Sequence, residues 1–489
     1  MKTKLAQLLL LSMIAASVTA CGGEGSAAVT NEIPATDTAA AVETEEAGAL
    51  DGLAVQDFGG HTFGVLATND AANNRHYDIA TAGEENGDIL NDLVYARNRA
   101  VEEKYNITIT TADDEYAKVM DTIRQQVQGG LADYELYLAD GHATMLAAEG
   151  YFADMNAIST LDLSQPWWNQ KAVSALSIEG KVYFCTGDIN PTTMMSGGGL
   201  VFNKSLFSNN DIAYPYDTIR AGKWTIDAML SLTKDMSQDL DGDGTMSPEN
   251  DRYSLSSWCA ASPFAFFYGM GGMMSKKGSD DIPVLDWDVD RISAIYEDIY
   301  TLIIGQKSYF VTDGSKYDTN FKCFSDGHAF FNQISLLTID RNLRDMEDDY
   351  AIIPLPKFDE AQENYYSSVG DAYSQVAIPV TAKDPNMSAA VLECFASESY
   401  RKVSPAYFER ALKIKYSRDD ESAMMFDLIK SSVTFSFATS FTMSIGDPQN
   451  MWKGQLAAYN DSWASYMAGW IPSAQVQLES ALEILKELP

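Results

Sequence analysis

From Leu53 onward the apolar positions fall into short runs separated by segments in which they recur every three or four residues, a pattern that predicts strands alternating with helices. His61 to Ala67 reads as a first strand. Asp88 then caps a helix with Ile89, Leu93, Ala96 and Ala100 on its apolar face, ending near Tyr105. Ile107 to Thr111 is the next strand, Tyr116 to Gln128 a second helix stopped by Gly129-Gly130, and Tyr134 to Ala139 a buried strand that runs into Asp140-Gly141-His142. Strand, helix, strand, helix, strand in this order predicts a parallel sheet with helices on both faces. Ligands meet such sheets at the carboxyl ends of the strands, so the loop carrying Asp140 and His142 becomes a candidate site.

Before Leu53 the pattern differs. Leu5 to Ala16 is a mainly apolar run behind Lys2 and Lys4, too short to span a bilayer permanently and shaped like the apolar centre of a secretory signal. Residues 21–52 are mostly Ala, Thr, Gly and Glu, which cannot bury enough apolar area to offset their ordering entropy, and they read as a flexible tether. The run Val18-Thr19-Ala20-Cys21 resembles the lipobox of a bacterial lipoprotein signal peptide. That resemblance implies removal of residues 1–20, palmitate-type lipidation of Cys21, and a protein held at the extracellular face of the cell membrane. The alternative is an ordinary cleaved signal.

Composition narrows the partners. The 489 residues carry 69 acidic and 34 basic side chains, a formal charge of -35, so the surface repels phosphate backbones and anionic lipid head groups. Nucleic acid is excluded as a partner on this ground, and the lipid remains the single membrane attachment. With 46% hydrophobic residues the chain can bury a large interior, and its length predicts about two or three domains. Beyond Cys21, only Cys185, Cys259, Cys323 and Cys394 remain, widely spaced, and they read as buried thiols, the alternative being one oxidised pair that the spacing does not select.

Several stretches together resemble the extracellular solute-binding proteins of ABC importers, in the sugar-binding family related to maltose-binding protein. They are Asp133 to Leu138 with Gly150 to Asn156, Ser177 to Tyr183, Leu200 to Phe207, Gly222 to Asp227, Phe324 to Phe331 and Tyr350 to Lys357. The last has Ala351 where the family has Gly. The resemblance implies an α/β, two-lobed fold of the periplasmic-binding-protein type (type II), each lobe a sheet flanked by helices and the two joined by a hinge. It implies a first lobe over 53–195 plus 357–399 and a second over 196–356 plus 400–489. Ser196-Gly197-Gly198-Gly199 suits a hinge crossing or, equally, a close backbone contact. Thr225 or Asp227 would cap a helix running to Met236. The resemblance further implies a monomer without organic cofactor that captures a small polar solute, a sugar or oligosaccharide, for the ABC permease subunits.

A separate constellation runs from Asp239 to Ser247. Asp239, Asp241 and Asp243 alternate before Gly244, and together with the Thr245 carbonyl, Ser247 and Asp251 they match the oxygen donors of a calcium loop. The twelfth position is Asn250, so Asp251 would serve as the bidentate ligand after a bulge. A structural Ca2+ is expected there, the alternative being an acid-rich solvated turn. For the solute, Trp258 and Trp452 are the expected aromatic platforms, core packing being the alternative for either, with Asp140, His142 and Asp371 accepting from or bracketing hydroxyls and Tyr373 stacking. The acids read equally as turn caps. A secreted glycosidase using paired carboxylates is the competing function. The chain lacks a Gly-x-Ser-x-Gly elbow, a His-Glu-x-x-His helix and a P-loop, and no enzymatic activity is expected.

Overall fold

The computed structural model describes residues 53–69, 83–370, 373–415, 420–458, 460 and 462–488. Cys21 and Asp371, and with them the expected lipidation and one expected ligand contact, lie outside the described residues. The chain builds β1 (His61–Thr68), β2 (Ile107–Asp114), β3 (Leu136–Asp140), β4 (Gly198–Asn203), β5 (Tyr253–Trp258), β6 (Ser275–Lys277) and β7 (Pro283–Leu285). These are followed by β8 (Tyr309–Val311), β9 (Ala329–Ser335), β10 (Tyr350–Ile353), β11 (Ser367–Ser368), β12 (Ser374–Ala377) and β13 (Val433–Thr434).

Two main sheets result. The first has the order β12-β3-β1-β2, with β1 parallel to β2 from His61 opposite Ile107 and parallel to β3 from Val65 opposite Leu136. It is not wholly parallel: β12 closes its edge antiparallel to β3, Ser374 opposite Asp140. Every residue of β3 is buried, as expected for a strand covered on both faces. Phe63, Val65, Leu138 and Val376 face one core with Phe395, whereas Leu66, Tyr137 and Ala139 face the other with Val119 and Ile123.

The second sheet has the order β10-β4-β9-β5-β8, with β5 parallel to β9 and β8, and β4 antiparallel to β9 and β10. Its core is aromatic: the Phe202 ring lies 5.0 Å from Phe207, and Phe207 meets Phe331 edge-on at 5.4 Å. Trp224 packs beside Phe331 and donates from its indole to the Pro354 carbonyl at 3.1 Å.

Local chemistry sets the helix starts. The Asp88 carboxylate accepts from Leu90 N and Asn91 N at 3.0 and 3.2 Å, capping Ile89–Tyr105. The buried face of that helix is displaced by one position from the expected one. Leu90, Val94, Arg97, Val101 and Tyr105 are inside, while Ile89 is 65% exposed. Arg97 can be inside because it donates to Ser399 Oγ at 3.0 Å and lies over the Phe395 ring. Thr225, not Asp227, caps the helix Ile226–Thr233, which stops short of Met236.

Glycines are placed for close packing. None of Gly197, Gly198 and Gly199 has a positive φ, and a Cβ on Gly197 would meet Val433 at 2.9 Å. The case is sharper in β1, where a Cβ on Gly64 would lie 2.2 Å from the Asp133 carbonyl oxygen. Gly64→Ala is therefore expected to lower unfolding free energy by about 2 kcal/mol or more through backbone displacement, as read by urea denaturation.

The segment after the expected boundary at 357 and the last helix both make contacts across the expected division. Lys357 is buried on the second lobe, its N–H donating to Trp224 O at 3.0 Å, and Tyr365 donates to Ile219 O. The chain rejoins the first sheet only at β12. The last helix, Trp463–Glu487, stacks Trp463 on Tyr296 at 4.2 Å in the second lobe, yet near its other end Leu485 O accepts from Tyr183 of the first. All four remaining cysteines are buried free thiols. Among the described residues, no helix is long and apolar enough to cross a membrane.

Candidate functional site

In the second sheet β5 and β9 run parallel and end at Trp258 and Ser335, while the antiparallel β4 begins beside them at Gly198. A cavity of about 260 Å³ opens at this edge, the position at which α/β sheets bind ligands. Trp258 and Tyr317 supply its aromatic wall, their rings edge to face at 4.6 Å. Asn320, Gln333, Ser335 and Gln449 supply polar groups, and Ser368 to Gly370 close it from the connection between the lobes.

Hydrogen bonding inside this wall is incomplete. Ser262 donates to Gln333 Oε1 at 2.8 Å, and Gln449 Nε2 donates to Ala260 O at 3.1 Å. The Trp258 Nε1 and Gln449 Oε1 atoms, by contrast, are buried without a partner among the described residues. Leaving a buried polar atom unpaired costs about 1–3 kcal/mol, so each of these two atoms would gain from a ligand group brought within reach. Burial raises the Tyr317 phenol above its ordinary value, which keeps it protonated and neutral. None of the described lining residues is a carboxylate.

The expected contacts divide. Trp258 lines the cavity, and Gly370, next to Asp371, does too. Trp452 does not: it is 0% exposed and wedged between Phe267 at 5.0 Å and Trp463 at 4.5 Å, so it is a core residue. Tyr373 is buried as well, its hydroxyl 2.9 Å from Ser440 Oγ and its ring edge-on to Phe435, which leaves no face for stacking on a solute. Asp140 is 4% exposed and caps its own turn, accepting from His142 N at 3.0 Å and pairing with His142 Nδ1. The His142 ring stacks on Tyr116 at 4.9 Å. Asp140 and His142 stand at the carboxyl end of β3 as expected, but neither lines the cavity.

Tyr317, Gln333 and Gln449 were not anticipated. Gln333 carried a signal in the sequence, since Asn332-Gln333 interrupts an otherwise apolar buried strand and polar side chains there need a purpose.

The acid-rich loop has its own geometry. Asp239, Asp241 and Asp243 are exposed, and one oxygen from each lies within 4.8 Å of the others. Asp251 is not part of that group. It is buried and accepts from Leu240 N and Ser247 N at 2.8 and 2.7 Å, stapling the ends of the loop together instead of acting as the bidentate ligand. Thr245 donates its N–H to Asp243 and Ser247 Oγ accepts from Asn250 N, both bonds closing the turn.

The lobes also touch through two hairpins. The tip of the β6–β7 ribbon places Asp281 against the Ser177 to Lys181 turn of the first lobe, where its Oδ2 accepts from Gly180 N at 2.9 Å. Lys277 donates to the Ser177 carbonyl beside it.

This arrangement of two flanked sheets with a polar, aromatic cavity at the strand ends defines a two-lobed α/β fold of the periplasmic-binding-protein type. Particular solved structures share it. The galacto-N-biose/lacto-N-biose I-binding protein of an ABC transporter from Bifidobacterium longum, in complex with lacto-N-biose, superposes with TM-score 0.57 at 14% identity over 88% of this chain and 99% of that one. A cyclo/maltodextrin-binding protein with maltotetraose gives 0.54 at 12% identity over 88% and 97%. An ABC transporter solute-binding protein from Thermotoga lettingae, bound with α-D-tagatose, gives 0.52 at 13% identity over 87% and 100%. No family model and no curated protein matches the sequence.

Proposed function

We propose that this chain is a receptor that clasps a sugar or oligosaccharide between its two lobes and hands it to the permease of an ABC importer. The cavity at the ends of β5 and β9, walled by the second sheet and its neighbours, carries the reading as the second lobe's side of that site. Its Trp258–Tyr317 wall suits the C–H face of a sugar ring, and the unpaired Trp258 Nε1 and Gln449 Oε1 suit a hydroxyl, which both accepts and donates. The carbohydrates named with the three solved structures of this fold support the same ligand class. A glycosidase needs two carboxylates about the scissile bond, and the solved structures that share this fold are named as binding proteins, which favours binding over hydrolysis.

The receptor would act as a monomer without organic cofactor, removed from its signal peptide and tethered by lipid on Cys21 at the extracellular face of the cell membrane. Lipid on that residue would leave the folded lobes free in solution. Closure would draw its energy from ligand contacts made to both lobes together, because only differential affinity shifts such an equilibrium. Under this proposal the Asp281–Gly180 contact between the hairpins would form on closure. Asp281→Ala should therefore weaken saccharide affinity about fivefold, equivalent to about 1 kcal/mol, in a calorimetric titration.

Calcium would sit among Asp239, Asp241 and Asp243, whose converging oxygens suit a hard cation. At about 100 times its dissociation constant, Ca2+ should add about 2.7 kcal/mol to stability, seen as a raised melting midpoint that a chelator reverses and that Asp241→Ala removes.

The test of the function is a melt of the lipid-free protein against monosaccharides, oligosaccharides and peptides. A rise in midpoint with one carbohydrate class, the sugar being recovered unchanged, sustains the proposal. A rise with peptides alone would overturn the ligand class.

A further inference from the structure

A second cavity, of about 430 Å³, lies between the first-lobe segment 166–194 and the helices Ser404–Lys415 and Asp420–Ser432. It is larger than the one at the strand ends and its chemistry is different. Asp188 and Lys430 both line it, together with Asn190, Trp168 and Phe408. Asn190 is 1% exposed, and its Nδ2 has no hydrogen-bond partner among the described residues. Lys430 Nζ lies 3.4 Å from the centroid of the Phe408 ring, an ammonium held against an aromatic face.

The two charges are close enough to sense one another, yet no ion pair within 4 Å joins them among the described residues. Burial pushes the Asp188 carboxyl up to about 6, against the Ser404 hydroxyl and Lys430, and burial lowers the Lys430 ammonium against Asp427 and Asp188. Asp427 itself stands exposed at the rim. A neutral polyol would leave both charges without a direct ion pair, whereas a ligand bearing one charge of each sign would give one to each.

We propose that this cavity is a binding site for a free α-amino acid, its ammonium meeting Asp188 and its carboxylate meeting Lys430 and the Asn190 Nδ2 donor. Neutralising two separated wall charges at once is what distinguishes this ligand class from the saccharide of the strand-end cavity. The volume falls within the range of small-molecule sites, about 300–1,000 Å³. Thr193 and Met194 line this cavity and Ser196 lines the other, so one short segment borders both.

The test is a calorimetric titration of the full chain with each common α-amino acid, followed by the N-acetyl and methyl-ester derivatives of any that binds. The expected result is saturable binding, weakened about tenfold or more by either derivative, with Lys430→Met abolishing it and Trp258→Ala leaving it within about twofold. Because the derivatives probe the unaltered protein, the test holds even where Lys430→Met does not fold. The proposal is overturned if no amino acid binds at about 5 mM, if the derivatives bind as well as the parent, or if Trp258→Ala removes binding. The first two outcomes leave the saccharide proposal standing, since it is read with a different ligand, whereas loss of binding in Trp258→Ala would place the amino acid in the strand-end cavity and count against both.

Discussion

Replacing Trp258 by Ala is expected to weaken saccharide binding by about 30-fold or more, equivalent to about 2 kcal/mol, while leaving the fold intact. Trp258 is the largest side chain lining the strand-end cavity, and it offers both an aromatic surface and an unpaired Nε1 donor. It stands at the last position of β5 and is half-buried, so its removal opens the cavity without hollowing the core. Trp258→Phe keeps an aromatic face but loses the N–H and the pyrrole ring, so it should cost about fivefold or more, at least one hydrogen bond's worth. Calorimetric titration measures both effects, and a thermal melt of each variant separates lost binding from lost folding. Equal affinities for Trp258→Ala and the unaltered protein would place the solute elsewhere.

The second large effect concerns stability and pH. Glu393 sits in the helix Pro385–Glu398, 2% exposed, and accepts from Trp167 Nε1 at 2.8 Å, Trp168 Nε1 at 3.1 Å and Asp162 N at 3.3 Å. Burial pushes its carboxyl up to about 7, although the Trp168, Asp162 and Trp167 donors pull the other way. The folded protein thus holds this proton at pH values where the unfolded chain has released it. The resulting stability is fully present below the unfolded value near 4.5 and is lost as pH rises through about 7, amounting to about 3 kcal/mol in all.

Glu393→Leu removes the acceptor for two buried indoles, at about 1–3 kcal/mol for each stranded donor. Its destabilisation should therefore be largest at about pH 4 and shrink by about 3 kcal/mol by about pH 8, as the unaltered protein gives up its own pH-linked stability. Urea denaturation across that range reads the difference directly. A penalty that stays constant with pH would mean that Glu393 is ionised throughout.

Local features were the most legible in the sequence. Asp88 and Thr225 cap helices because a short oxygen-bearing side chain before an apolar run has few other uses, and that chemistry needs no knowledge of the rest of the fold. The strand before Asp140 was legible because an apolar run ending in a turn former is read within one window. What failed was whatever depends on distant chain. Trp452 is in the core because Phe267 and Tyr296 come to meet it, and nothing near Trp452 announces them. Tyr373 is covered by Phe435 and Ser440 in the same way.

Arg97 shows the same limit from the other side. A cation on a helix reads as solvent-facing until Ser399 and Phe395, some 300 positions on, supply its partners. The displaced helix face goes with that burial: Arg97 lies inside beside Leu90, Val94, Val101 and Tyr105, and Ile89 faces outward. Within the site, Trp258 was accessible to sequence reasoning through its position after a loop, whereas Tyr317 and Gln449 join it only through tertiary packing.

The central claim is that the cavity at the ends of β5 and β9 holds a sugar and releases it unaltered. Its most direct test is a titration of the lipid-free protein with the carbohydrate that raises the melting midpoint, followed by chemical analysis of the recovered ligand. The account predicts one saccharide bound per chain, recovered intact, with affinity dependent on Trp258. A cleaved saccharide, or saturable binding that ignores Trp258, would contradict it.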